Sequence, residues 1–109
     1  MKRYRVRWSS VARTDLLEIL DFIAEHSSSD AVRVLNRLEA RARTLARFPE
    51  RGRVVPELRR QGITAFRELL EGPWRLVYRI DGREVGGLAV LDARREIEDL
   101  LLQRLLGLQ

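Results

Sequence analysis

The sequence contains no cysteine, which excludes disulfide staples and thiolate metal sites from the outset. That absence fits a reducing compartment. Lys2 is its only lysine, so the basic character rests on arginine, and a single arginine is weak evidence for guanidinium chemistry. There is one histidine, His26, and no cluster of His, Asp and Glu at a metal-ligand spacing, so neither metal nor cofactor is expected. No apolar run approaches the roughly 18 residues of a membrane span. Nor does Met1 to Trp8 form the continuous apolar core of a secretory signal. A soluble, cytoplasmic protein without membrane partners is the expectation. No aromatic-interleaved basic motif marks a dedicated nucleic-acid platform.

What remains is a chain of 109 residues, 45% hydrophobic, with a net charge of +5. That length suits one domain, residues 1–109, with its own core. The positive balance favours acidic partners: nucleic acid, an acidic protein or anionic lipid.

Tyr4, Val6 and Trp8 alternate with Arg3, Arg5 and Arg7, the period of a strand with one wet face. Ser9 or Ser10 then caps a helix carrying Ala12, Leu16, Ile19, Leu20 and Ile23 on one stripe, running to about His26. Asp15 is expected in or near the first turn, where the helix dipole favours negative charge. Ser27 to Ser29 break that helix and cap the next, whose stripe is Ala31, Val34, Leu35, Leu38, Ala42 and Leu45. So short a break predicts an antiparallel helical hairpin. Phe48-Pro49 stops the second helix, and Glu50 to Thr64 reads as loop with one short helical turn.

Strands return at Ala65 to Glu71, at Trp74 to Ile80 and at Val85 to Leu91. Trp74, Leu76, Tyr78 and Ile80 alternate with Arg75, Val77 and Arg79, and Asp81-Gly82 signals a type I′ hairpin. A leucine-rich helix covers about 94–106. The expected fold is α+β in the order β-α-α-β-β-β-α, a helical hairpin on a small antiparallel sheet whose other side presents arginines.

With that order, Tyr4-Arg5-Val6-Arg7-Trp8-Ser9, Asp15-Leu16-Leu17-Glu18-Ile19, Phe48-Pro49-Glu50-Arg51-Gly52-Arg53, Val55-Pro56-Glu57-Leu58, Trp74-Arg75-Leu76-Val77-Tyr78-Arg79-Ile80 and Leu91-Asp92-Ala93-Arg94-Arg95-Glu96 together resemble the RelE/ParE toxin superfamily. The resemblance implies a plasmid-stabilisation type of toxin neutralised by a cognate, acidic antitoxin. It leaves two activities open, since fold alone does not choose chemistry. RelE-like members cut messenger RNA on the ribosome; ParE-like members poison DNA gyrase. A degenerate, non-catalytic binding module is a third reading.

An endoribonuclease needs a base, an acid and cations for the phosphate. The resemblance assigns Glu57 as base, with Arg67, Arg75, Arg94 and Arg95 on the phosphate. The acid is missing: after Tyr78 the chain has neither histidine nor tyrosine. Asp92 stands where ParE-like members often carry a histidine in a His-x-x-Arg motif. The long last helix favours the ParE-like reading. Its apolar positions Ile97, Leu101, Leu102, Leu105 and Leu106 are the candidate surface for an antitoxin or a second copy of the chain.

Overall fold

Side-chain alternation and helical stripes set most of the architecture. The computed structural model describes residues 3–93 and 98–106, the last two by backbone alone. Strand β1 (Arg5–Trp8) leads into helix α1 (Ser10–Ala24), then α2 (Ser28–Arg43) and a 3-10 turn at Thr44–Ala46. A two-residue strand β2 (Arg53–Val54) and a short helix α3 (Pro56–Arg59) fill the expected loop. Strands β3 (Phe66–Glu71), β4 (Trp74–Asp81) and β5 (Glu84–Asp92) follow, then helix α4 (Glu98–Leu106).

The serines act as read. Ser9 Oγ accepts from the Ala12 amide at 3.1 Å and Ser27 Oγ from the Asp30 amide at 3.2 Å, so each hydroxyl occupies an otherwise orphaned helix donor. Asp15, however, is not in the first turn of α1, which holds no acidic residue. Its carboxylate instead reaches across the molecule to Arg104.

The sheet runs in the order β1-β5-β4-β3-β2. Its three long strands pair antiparallel, as expected, but β1 lies parallel to β5, with Val6 opposite Val85 and Trp8 opposite Gly87. The helical hairpin between β1 and the later strands is what allows this, because a parallel neighbour needs a long crossover. The β4–β5 loop is Gly82-Arg83 rather than Asp81-Gly82, since Asp81 and Glu84 still pair. Only Gly82 there has positive φ, at 60°, the pattern of a type II′ turn and not of type I′.

A larger departure concerns the second face of the sheet. Leu16, Leu38, Ala42, Leu45, Leu69, Leu76, Tyr78, Val85 and Val90 form the core beneath the α1–α2 hairpin, as the alternation predicts. The opposite face is not a free arginine surface. Val55, Leu58, Phe66, Val77, Ala89, Leu91 and Leu101 build a second core there, closed by α3 and α4. Strand β4 is therefore buried on both sides, with Arg75 6% and Val77 1% exposed. Alternating arginines signalled water, whereas Arg75 is neutralised by carboxylates and sits inside.

Candidate functional site

Two carboxylates and two guanidiniums meet on that second face. Residue Glu68 sits opposite Val77 and one step from Arg75 across the β3–β4 ladder, with its side chain fully buried. One of its oxygens accepts from Arg75 Nε at 2.6 Å, the other from Arg53 Nε at 2.7 Å. The remaining edge of Arg75 donates two parallel bonds, each 2.6 Å, to Glu57 on α3. Such a fork-on-carboxylate pair is among the strongest polar contacts in proteins. No buried side-chain polar atom lacks a partner among the described residues.

This pairing sets the proton affinities. The Arg75 hydrogen bonds pull the Glu57 carboxyl from 4.5 down to about 2, against an opposing effect of burial. The Glu57 carboxylate in turn raises the Arg75 pKa further above its ordinary value. Because the folded carboxyl ionises below the unfolded one, the stability it contributes is complete above about pH 4.5 and is lost as pH falls toward about 2. Glu57→Gln should thus lower stability at pH 7 by about 1–2 kcal/mol, allowing for solvent around the carboxylate. By about pH 2.5 most of that gap should have closed, and below about pH 2 the variant and the parent should unfold at similar urea concentrations. A gap that stays constant across this range would refute the assignment.

Arg67 does not belong to this cluster. The β3–β4 register places it opposite Tyr78, on the helical-hairpin face, away from Glu57 and Arg75. Its guanidinium donates to the Gly52 carbonyl at 2.7 Å and to the Glu50 carbonyl at 3.4 Å, which holds the loop before β2. The buried Tyr78 hydroxyl secures the same loop, donating to the Pro49 carbonyl at 2.7 Å and accepting from the Gly52 amide at 2.9 Å. Gly52 is obligatory: a Cβ there would stand 2.5 Å from the Glu68 carbonyl oxygen. Burial pushes the Tyr78 phenol up. His26, just past the end of α1, is exposed, with its ring in a T-shaped arrangement with Phe22 at a centroid distance of 6.2 Å.

Helix α4 docks by a second bidentate pair, Arg104 to Asp15, at 2.8 and 2.9 Å. The Asp15 carboxylate also accepts from the Val90 amide at 3.0 Å. Among the proposed partner-binding leucines, Leu101 is 2% exposed and faces the chain's own core, so it is not available to a partner. Leu102 is half-buried against the same core. Arg94, Arg95 and Ile97, and the side chains of Leu105 and Leu106, lie outside the described residues.

The family model for the ParE toxin of the type II toxin–antitoxin system parDE matches residues 6–97. The chain belongs to the ParE toxin family. Its structure is similar to that of a chain in the chromosomal ParDE toxin–antitoxin system of P. aeruginosa, with a TM-score of 0.71 and 20% identity. The match covers 84% of this chain and 98% of that one. It is also similar to a chain in the RelBE2 toxin–antitoxin complex of Mycobacterium tuberculosis, with a TM-score of 0.56 and 27% identity over 84% of this chain and 93% of that one. No curated protein matches it by sequence.

Reading the sequence had brought Glu57 and Arg75 together in this ParE-family chain but had missed Glu68 and Arg53. The signal for Glu68 was faint: β3 also carries Arg67 and Glu71, and only the cover that α3 and α4 give its face makes the carboxylate a buried one in need of partners. Nothing local marked Asp15 and Arg104, which are far apart in sequence.

Proposed function

We propose that this ParE-family toxin inhibits DNA gyrase in the cytoplasm without hydrolysing nucleic acid, and that a cognate acidic antitoxin neutralises it. The observation that carries this reading is the state of Glu57. A general base works best with a pKa near the operating pH. Locked on the Arg75 fork and ionising at about 2, Glu57 binds a proton too weakly to remove one from a ribose hydroxyl efficiently.

No acid stands ready beside it among the described residues. Tyr78 is on the opposite face with its hydroxyl committed in both directions, and His26 is at the end of α1. An inhibitor that acts by binding needs neither group. The match to the ParE family and the presence of a helix, α4, after the last strand favour this reading over ribonuclease activity. Both structural relatives come from toxin–antitoxin systems, which supports an antitoxin as partner. Leu102, with Ile97, Leu105 and Leu106 beside it in sequence, is the proposed docking segment for that antitoxin or a second copy.

The competing reading keeps Glu57 as base with Arg75, Arg94 and Arg95 on the phosphate during ribosome-dependent cleavage, without Arg67, which lies on the other face of the sheet. Purified toxin tested on gyrase supercoiling and on translating ribosomes separates the two. Loss of supercoiling with intact message is expected, and antitoxin should restore it. Message cleavage abolished by Glu57→Gln would establish the ribonuclease instead.

A further inference from the structure

A second feature lies away from the Glu57 cluster and takes no part in the toxin reading. Arg3, Arg43, Arg47 and Arg51 line one open cleft of about 410 Å³, with Val6, Thr44, Ala46 and Phe48 as the rest of its wall. That volume is within the range of ligand sites. Many of the other arginines are paired: Arg5 and Arg7 with Glu84, Arg37 and Arg41 with Glu71, Arg53 and Arg75 with Glu68, Arg104 with Asp15. The four cleft arginines form no ion pair among the described residues, and no acidic side chain lines the cleft. Gathering like charges costs folding free energy, and an anionic ligand relieves it.

The walls are held in place rather than merely near one another. The Tyr4 amide donates to the Ala46 carbonyl at 2.8 Å, tying the start of β1 to the 3-10 turn. Phe48 and Arg51 are joined through the Arg51 amide and the Phe48 carbonyl at 3.1 Å. Beneath them the Tyr78 hydroxyl fixes Pro49 and Gly52. In this fixed loop Phe48 leaves 52% of its surface in water, among the guanidiniums. The sequence hid this arrangement, because Arg3 joins the others only through the fold.

We propose that this cleft binds single-stranded nucleic acid, the four arginines holding successive phosphates and Phe48 stacking on a base. An exposed ring amid unpaired guanidiniums distinguishes this occupant from an acidic peptide, which would use the charge and leave the ring idle. The proposal does not depend on whether gyrase or message is the toxin's target.

Binding of a fluorescein-labelled mixed-sequence DNA 12-mer to the full chain, titrated against salt, tests it. Four phosphate contacts predict a slope of log affinity against log salt near −3, as each contributes about 0.7. Arg47→Gln and Arg51→Gln should each reduce that slope by about 0.7 and weaken binding at low salt about tenfold. Phe48→Ala should weaken binding by roughly tenfold with the slope unchanged, the signature of a lost stack. All three side chains are exposed, so the variants should match the parent in urea midpoint. Oligonucleotide binding indifferent to Arg47 and Arg51 would overturn the site. Polyglutamate of equal length binding as tightly, or no effect of Phe48→Ala, would show a general polyanion or acidic-protein surface and overturn the nucleic-acid assignment. Gyrase inhibition unchanged in these variants leaves the toxin reading standing, so the two ideas fail separately.

Discussion

Arg75→Ala should destabilise the protein by about 3–5 kcal/mol, the usual result of breaking a buried ion pair from one side. The reason lies in what is left behind. Glu68 has a fully buried side chain, and its Oε1 has Arg75 as its donor. Arg53, half in solvent, would still hold Oε2, so the remaining charge is only partly compensated. Glu57 would lose both of its short bonds but sits near enough to water to be solvated. Equilibrium unfolding in urea measures the loss. The companion experiment replaces the whole set: Glu57→Leu, Glu68→Leu and Arg75→Met together should cost far less than Arg75→Ala alone, because buried ion clusters exchanged for apolar groups are often neutral or stabilising. If the triple variant retains gyrase inhibition, the cluster holds α3 to the sheet and takes no part in the toxic action. A triple variant that unfolds more readily than Arg75→Ala would show that the cluster's charges, and not just its volume, are needed.

The same cluster shows what the sequence could and could not reveal. Local rules sufficed for the first core: serine caps, apolar stripes and the alternation from Trp74 to Ile80 place the helical hairpin on the right face of the sheet. They failed at the second face because the alternation gives only the face of a residue, not what covers it. Arg75 and Val77 alternate with the core residues and so looked solvated, until α3 and α4, distant in sequence, closed over them. Arg67 failed for a related reason. Counting along β3 puts it next to Glu68 but on the other side of the sheet, so a set of site residues chosen by resemblance was split by the pleat. Parallel pairing of β1 was equally hidden, since alternation is identical in parallel and antiparallel edge strands.

Asp15→Ala is expected to release α4 and to cost about 2–3 kcal/mol. One carboxylate performs two tasks here, accepting both bonds of the Arg104 fork and the amide of Val90. The group is largely removed from water: the side chains of the donor Arg104 and the acceptor Asp15 are 21% and 10% exposed, and Val90 is 2% exposed. Without the carboxylate, the Val90 amide loses its acceptor and α4 loses its ionic tie to α1. What remains is the contact of Leu101 and its neighbours with Leu58, Phe66 and Val77, together with the more exposed contacts of Glu98 with Arg60 and Gln61. Asp15→Asn separates the tasks: its amide oxygen can still accept from Val90 but cannot pair with Arg104, so its loss should be about half as large. Hydrogen exchange supplies the deciding measurement. Amides of α4 should lose protection well before those of β4, and the uncovered Phe66 and Val77 surface should bind a hydrophobic dye. If α4 stayed as protected as β4 in Asp15→Ala, apolar packing and the Glu98 contacts would suffice to hold the helix. In that case the Asp15–Arg104 pair would serve to orient α4, leaving Leu102 correctly presented, rather than to anchor it.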